Sequence, residues 1–152
     1  MPERTLIMLM GLPRSGKSTW AQRQGVPIVN PDAIRLALHG QAFIIEAEPI
    51  VWMTAKYMVR ALFLAGHESV ILDATNTTRS RRDEWKSSLW NREVMLFDTP
   101  EDECIRRAKD GGREDLIPII EKMNEGFEDL DLADEGIKLH PGDPVITYGG
   151  SS

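Results

Sequence analysis

Short, nearly unbroken apolar runs alternate along this chain with longer stretches in which apolar residues recur every three or four positions. Runs of the first kind, bounded by turn residues, read as strands buried on both faces. Thr5 to Met10, Val26 to Val29, Ser69 to Leu72 and Glu93 to Phe97 are of this kind, and Ile137 to His140 is a weaker fifth. The second kind predicts helices. Lys17 to Gln24 forms one, closed by Gly25. Asn30-Pro31 reads as a cap followed by proline at the first helical position, opening a helix that runs past Leu38 to Gly40. Glu48 to Ala65 is the longest candidate, and its Ile50, Met53, Tyr57, Ala61 and Leu64 make a stripe expected to face the core. Thr77 or Thr78 is expected to cap a helix through Trp85 and Trp90. Thr99-Pro-Glu-Asp102 carries a cap, a proline and a capping-box acid. Arg107 to Asp115 reads as a charged break, and Leu116 to Phe127 as a last helix with Pro118 in its first turn.

Strands alternating with helices define an α/β fold, with a central parallel sheet of about five strands covered by helices on both faces. No internal repeat or linker divides the pattern. Residues 1–140 are therefore read as one domain, and the glycine- and proline-rich 141–152 as a flexible tail.

Composition narrows the class. At 152 residues, 41% hydrophobic and 28% charged, the chain can bury a core without covalent staples, and wholesale disorder is not expected. No apolar run approaches the ~20 residues of a membrane span, and the first residues lack a signal-peptide layout. The single cysteine, Cys104, excludes an internal disulfide framework. The expectation is a soluble, cytoplasmic domain with no membrane partner. Charge is uneven: residues 1–92 carry 12 basic and 8 acidic side chains, whereas residues 93–152 carry 6 and 16. An acidic average argues against a non-specific nucleic-acid coat but leaves room for a local basic site.

The sharpest chemical signal is Gly11-Leu-Pro-Arg-Ser-Gly-Lys-Ser18, which fits G-x-x-x-x-G-K-[ST] between a buried strand and a helix. Its glycines let the backbone curl so that N–H groups converge on phosphates. The lysine reaches the β- and γ-phosphates and the hydroxyl ligates Mg²⁺. Gly11, Pro13, Arg14, Ser15, Gly16, Lys17, Ser18 and Thr19 are therefore expected to bind ATP.

Other residues join by position. Asp32 and Arg35 share a helix face after the second strand, at the sheet edge where ligands bind. An Asp there accepts a proton from an attacking hydroxyl and an Arg holds a phosphate; the alternative is an ion pair one turn apart. Asp73 at the tip of the third strand is a second anchor for Mg²⁺ or a substrate-binding Arg, or else an Asx turn. Arg106, Arg107, Lys109 and Arg113 surround Gly111-Gly112, as a basic lid over ATP or as a solvated hinge. Arg79, Arg81, Arg82 and Lys86 form either a phosphate-contacting face or a helix face paired with Asp83 and Glu84. The tryptophans are read as packing residues, Cys104 as buried and inert, and the three histidines show no metal spacing.

Taken together, the glycine loop through Trp20, Asn30-Pro-Asp-Ala-Ile-Arg35, Asp73-Ala-Thr-Asn76 and Arg106-Arg107 resemble the P-loop kinase domain of phage-type polynucleotide kinases and their small relatives. The resemblance spans residues 5–140. It implies transfer of the γ-phosphoryl group of ATP, with Mg²⁺, to the 5′-hydroxyl end of DNA or RNA. It assigns Asp32 as general base, with Lys17 and Arg107 completing the catalytic set. Arg35 engages substrate phosphate, and Asp73, Thr75 and Asn76 belong to the acceptor site. Ser18 and Asp73 hold the metal. The family lid usually carries a second arginine soon after the first, and Arg113 would stand in for it from a shifted position. The same scaffold also resembles kinases of hydroxymethylated pyrimidines in phage DNA, of nucleotides, and of the sugar nucleotides used by zeta-type toxins. From a different class, a non-catalytic nucleotide switch or partner-binding ATPase is the rival.

Overall fold

The computed structural model describes residues 3–40, 43–76, 78–126 and, for the backbone, 137–140. In chain order the elements are β1 (Thr5–Met10), α1 (Lys17–Gln22), β2 (Ile28–Val29), α2 (Pro31–His39), α3 (Glu48–Leu64), β3 (Ser69–Leu72), α4 (Arg79–Asp83), β4 (Asn91–Phe97), α5 (Glu101–Asp110), α6 (Ile117–Glu125) and β5 (Ile137–His140). The strands form one sheet in the order β2-β3-β1-β4-β5, every neighbouring pair parallel. Because β1 lies between β3 and β4, the chain crosses to one side of it and then to the other. The loop leaving β1 therefore opens at the switch point where open α/β sheets bind ligands.

Strand periodicity sorts the core into two layers. Leu6, Met8 and Met10 of β1, with Val70, Leu72, Val94 and Leu96, pack against α3 and Trp85. Leu9, Ile71 and Phe97 point the other way, onto Ala21 and Trp20 of α1. A third cluster of Leu12, Cys104, Ala108 and Ile120 joins α5 and α6 to the start of the β1 loop. Among the described residues no helix is long and apolar enough to cross a membrane.

Several boundaries differ from expectation for physical reasons. The α3 stripe named above faces outward: Ile50, Met53, Tyr57 and Leu64 are 57–69% exposed. Val51, Ala55, Val59 and Phe63 face the core instead. This helix is apolar on both sides, so periodicity alone fits either face, and the compact Val-Ala-Val row is the one that lies close against a sheet. The helix after Thr78 is short, ending at Asp83 before Trp85. The charged break is also shorter than expected, because α5 runs through Arg107 to Asp110. Thr99 does not cap α5; its hydroxyl donates instead to the Ser15 carbonyl at 2.9 Å. The expected tail, 141–152, and Thr77 lie outside the described residues.

Candidate active site

The loop between β1 and α1 is built by its glycines and by two neighbours. A Cβ on Gly11 would stand 2.8 Å from Ser15 Oγ and 2.9 Å from the Phe97 carbonyl, so only glycine fits there. Gly16 caps α1 in the left-handed region at φ 103°. Arg14 is also left-handed, at φ 67°, a conformation that a bulky residue rarely holds without support. Support comes from outside: Arg107 donates to the Arg14 carbonyl at 3.1 Å, and Thr99 fixes the carbonyl of Ser15. On the other flank the Gly11 N–H donates to the Thr75 carbonyl at 3.0 Å.

Lys17 is buried, and its ammonium donates to the carbonyls of Gly11 (3.0 Å) and Leu12 (2.7 Å). Burial pulls its pKa down to about 8 against the opposing pull of Asp73, Cys104 and Asp32. Ser18 donates to Asp73 Oδ2 at 2.7 Å, so the phosphate-loop hydroxyl and the carboxylate at the end of β3 meet directly. The two offer hard oxygen donors, which suits Mg²⁺, an ion that takes few protein ligands and fills its octahedron with water and phosphate. Among the described residues no group of three or more His, Cys, Asp or Glu side chains is placed to hold a metal ion.

Across the edge, Asn30 caps α2 by accepting from the N–H groups of Asp32 (2.8 Å) and Ala33 (3.2 Å). This leaves the Asp32 carboxylate at the helix start, 82% exposed, with Arg35 Nη1 2.7 Å from Oδ1. Arg35 is mostly buried. A parallel pair of bonds to Glu48 at the start of α3, from Nε at 2.9 Å and Nη2 at 2.7 Å, fixes its plane. The pair raises the Arg35 pKa and lowers that of Glu48. Asp32 and Arg35 are thus an ion pair at the start of α2, directly after β2. Glu48 was missed by the sequence analysis, and no spacing rule would have found it.

Other placements correct the expectations. Asn76 is buried and left-handed at φ 48°, and its amide nitrogen donates to the Leu9 carbonyl at 2.6 Å and so ties the β3 loop to β1, while its Oδ1 is buried without a hydrogen-bond partner. Arg82 is fully buried and donates to the Asn76 carbonyl at 3.0 Å, which removes it from any basic surface. Its neighbours Arg79, Arg81 and Lys86 are paired with Asp83 and Glu84, the solvated-face alternative. Arg107 is buried under the phosphate loop, its Nε on Glu103 at 2.9 Å and its Nη2 without a hydrogen-bond partner. Glu103, held by Arg106 and then Arg107, is driven down to about 2. Arg106 is spanned between Glu103 and Asp110 on the surface. Arg113 pairs with Asp115 at 3.0 Å and is half exposed. Cys104 is buried and its thiol is pushed up to about 11.

This is the arrangement of a P-loop kinase fold: a nucleotide-type phosphate loop at the switch point of a parallel sheet. The chain belongs to the AAA domain family AAA_33, which matches residues 6–119. It is similar to a chain in the Pnkp1/Rnl/Hen1 complex, with 30% identity and TM-score 0.61 over 70% of this chain and 40% of that one. A gluconokinase from Sinorhizobium meliloti 1021 shares the fold at 21% identity and TM-score 0.64, over 97% of this chain and 87% of its own. The Mycobacterium tuberculosis APS kinase CysC, in complex with AMPPNP and APS, shares it at 16% identity and TM-score 0.61, over 98% and 95%. This chain spans less than half the length of the chain in the Pnkp1/Rnl/Hen1 complex. No curated protein sequence matches it.

Proposed function

We propose that this chain transfers the γ-phosphoryl group of ATP to a hydroxyl, and that the hydroxyl is the 5′ end of a DNA or RNA strand. The observation that carries the reading is the Asp32–Arg35–Glu48 constellation, set on the same strand-end edge as Lys17, Ser18 and Asp73. The 30% identity to a chain of the Pnkp1/Rnl/Hen1 complex, described in a second structure as an RNA repair complex, supports a nucleic-acid acceptor.

Each group then has a role. Asp32 accepts the hydroxyl proton through the carboxylate oxygen that Arg35 leaves free. Arg35 has five N–H donors, of which Asp32 and Glu48 take three, so two remain for an acceptor phosphate. Lys17 exchanges the Gly11 and Leu12 carbonyls for phosphate oxygens. Arg107 offers its unpartnered Nη2 beside the loop and keeps Arg14 in place. Ser18 and Asp73 would hold Mg²⁺, which supplies charge neutralisation on the phosphates. With little covalent chemistry required of the protein, positioning and electrostatics do most of the catalysis.

The test is γ-labelled ATP with Mg²⁺ and four acceptors: a 5′-hydroxyl oligonucleotide, its 5′-phosphorylated form, that form with internal hydroxymethylpyrimidine, and free nucleosides. Label confined to the 5′-hydroxyl strand is the expected result. Label on the hydroxymethylated strand with its end blocked moves the function to base modification, and label on nucleosides alone moves it to a small acceptor. No transfer, with ATP still bound, overturns the reading.

A further inference from the structure

Helix α3 is apolar on two opposite sides, and among the described residues only one of them is covered. Val51, Ala55, Val59 and Phe63 pack on the sheet. Half a turn away, Ile50, Met53, Tyr57 and Leu64 are exposed at 57, 58, 66 and 69%, with the exposed Ala61 between the last two. A helix that is hydrophobic all round is ordinarily buried all round. At these exposures the four leave roughly 500 Å² uncovered, in the upper part of the ~300–600 Å² range for a monomer's largest apolar patch.

The order of residues says what covers it. Successive gaps from Ile50 through Met53, Tyr57 and Ala61 to Leu64 are three, four, four and three, a palindrome centred on Tyr57. We propose that this face binds a second copy of the chain, with the two α3 helices antiparallel across a two-fold axis at Tyr57. In that arrangement Ile50 meets Leu64, and Met53 lies over Ala61, a large side chain against a small one. Tyr57 meets its own copy. An isologous contact needs this self-complementarity, because each contact occurs twice about the axis. The charged neighbours do not oppose it. Lys56 is drawn back toward the Trp85 ring, its Nζ 5.6 Å from the ring centroid, and the long stem of the exposed Arg60 lets its charge reach water at the rim of the pair. A stable pair needs ~800 Å² per partner, so the stripe supplies more than half and its flanking residues, Met58 and Arg60 among them, the rest.

The test is the mass of the full chain in solution. Sedimentation equilibrium is expected to give twice the 17.1 kDa protomer, and Tyr57→Glu is expected to weaken association at least ~30-fold. Tyr57 is exposed in the single chain, so the variant keeps the wild-type circular dichroism, and its melting temperature matches that of the wild-type chain at dilutions where both are monomers. Cysteine scanning reads the symmetry. Under mild oxidation Tyr57→Cys is expected to cross-link to itself. Ile50→Cys is not, because 14 residues of helical rise put it ~21 Å along the axis from its copy, but mixed with Leu64→Cys it pairs. Cys104, buried, does not compete. A wild-type chain that stays monomeric to ~100 μM overturns the proposal, as does a dimer indifferent to Tyr57→Glu or an Ile50→Cys chain that links to itself as readily as Tyr57→Cys.

Discussion

The two sides of the candidate site are held in different ways. On the phosphate-loop side the polar groups are buried and tied largely to backbone: Lys17 to Gly11 and Leu12, Arg107 to Arg14, Thr99 to Ser15. On the α2–α3 side the groups are tied to other side chains. Asp32 is 82% exposed, and Arg35 depends on Glu48, which comes from another helix. Backbone anchors belong to any sequence that makes the loop, whereas side-chain anchors can be replaced one at a time. A phosphate loop held by the backbone and an α2–α3 edge held by exchangeable side chains are what this difference produces.

The contrast can be broken most sharply at Asp32. Asp32→Asn keeps the shape and removes the carboxylate proposed as the base, so phosphoryl transfer is expected to fall ~10²–10⁴-fold while ATP affinity changes little. Lys17→Ala is expected to lose both. Parallel calorimetry with a non-hydrolysable ATP analogue and labelled transfer assays separate the two, and equal loss of ATP affinity in both variants would erase the distinction between the sides.

Glu48 sharpens the comparison on the acceptor side. Glu48→Gln leaves a hydrogen-bond acceptor but removes the charge that fixes the plane of Arg35. The expected result is a KM for the acceptor raised about 10-fold with the KM for ATP unmoved. A rise confined to ATP would place Arg35 on the other side of the reaction.

How far the sequence revealed this site follows the same division. The glycine loop was legible because its geometry requires glycine at Gly11 and Gly16, and Asn30-Pro31 because capping chemistry is local. Asp73 was found at a strand tip, and its meeting with Ser18 follows from the parallel pairing of β1 with β3. Glu48 and Thr99 were missed as parts of the site because their partners are 13 and 84 residues away, through contacts that no periodicity encodes. The outward face of α3 was mistaken for the inner one for a related reason. An apolar stripe records that a surface is covered, and the same pattern serves a core or a partner.

Proton linkage probes the buried side with a smaller effect. Lys17 is lowered from 10.5 to about 8, so neutral lysine is favoured in the folded chain as pH rises. The unfolded chain then binds more protons between about pH 8 and 10.5, and this group adds stability as pH rises through that window. Phosphate favours the charged form. ATP affinity is therefore expected to fall as pH rises through 8, by up to about tenfold per unit, with uptake of a proton on binding. Calorimetry in buffers of different ionisation enthalpy at pH 8.5 measures that uptake directly. No uptake would mean that the ammonium is charged in the free chain throughout the range.

The smallest expected effect separates two arginines that a motif treats alike. Arg107 is buried, bridges Glu103 and the left-handed Arg14, and holds one guanidinium nitrogen without a partner beside the phosphate loop. Arg113 stands six residues later, half exposed and paired with Asp115. Exposed pairs of this kind contribute little and are screened by salt. Gly111 between them is where the Arg14 guanidinium passes: a Cβ there would stand 3.3 Å from it, so the turn is shaped around Arg14 rather than around Arg113. Arg113→Ala is therefore expected to change the KM for ATP and kcat by less than about twofold, whereas Arg107→Ala removes both a phosphate donor and the support of the loop. A tenfold loss of kcat in Arg113→Ala with unchanged ATP affinity would show that the segment after α5 swings over the nucleotide during turnover, breaking its pair with Asp115 to supply the second lid arginine from its shifted position.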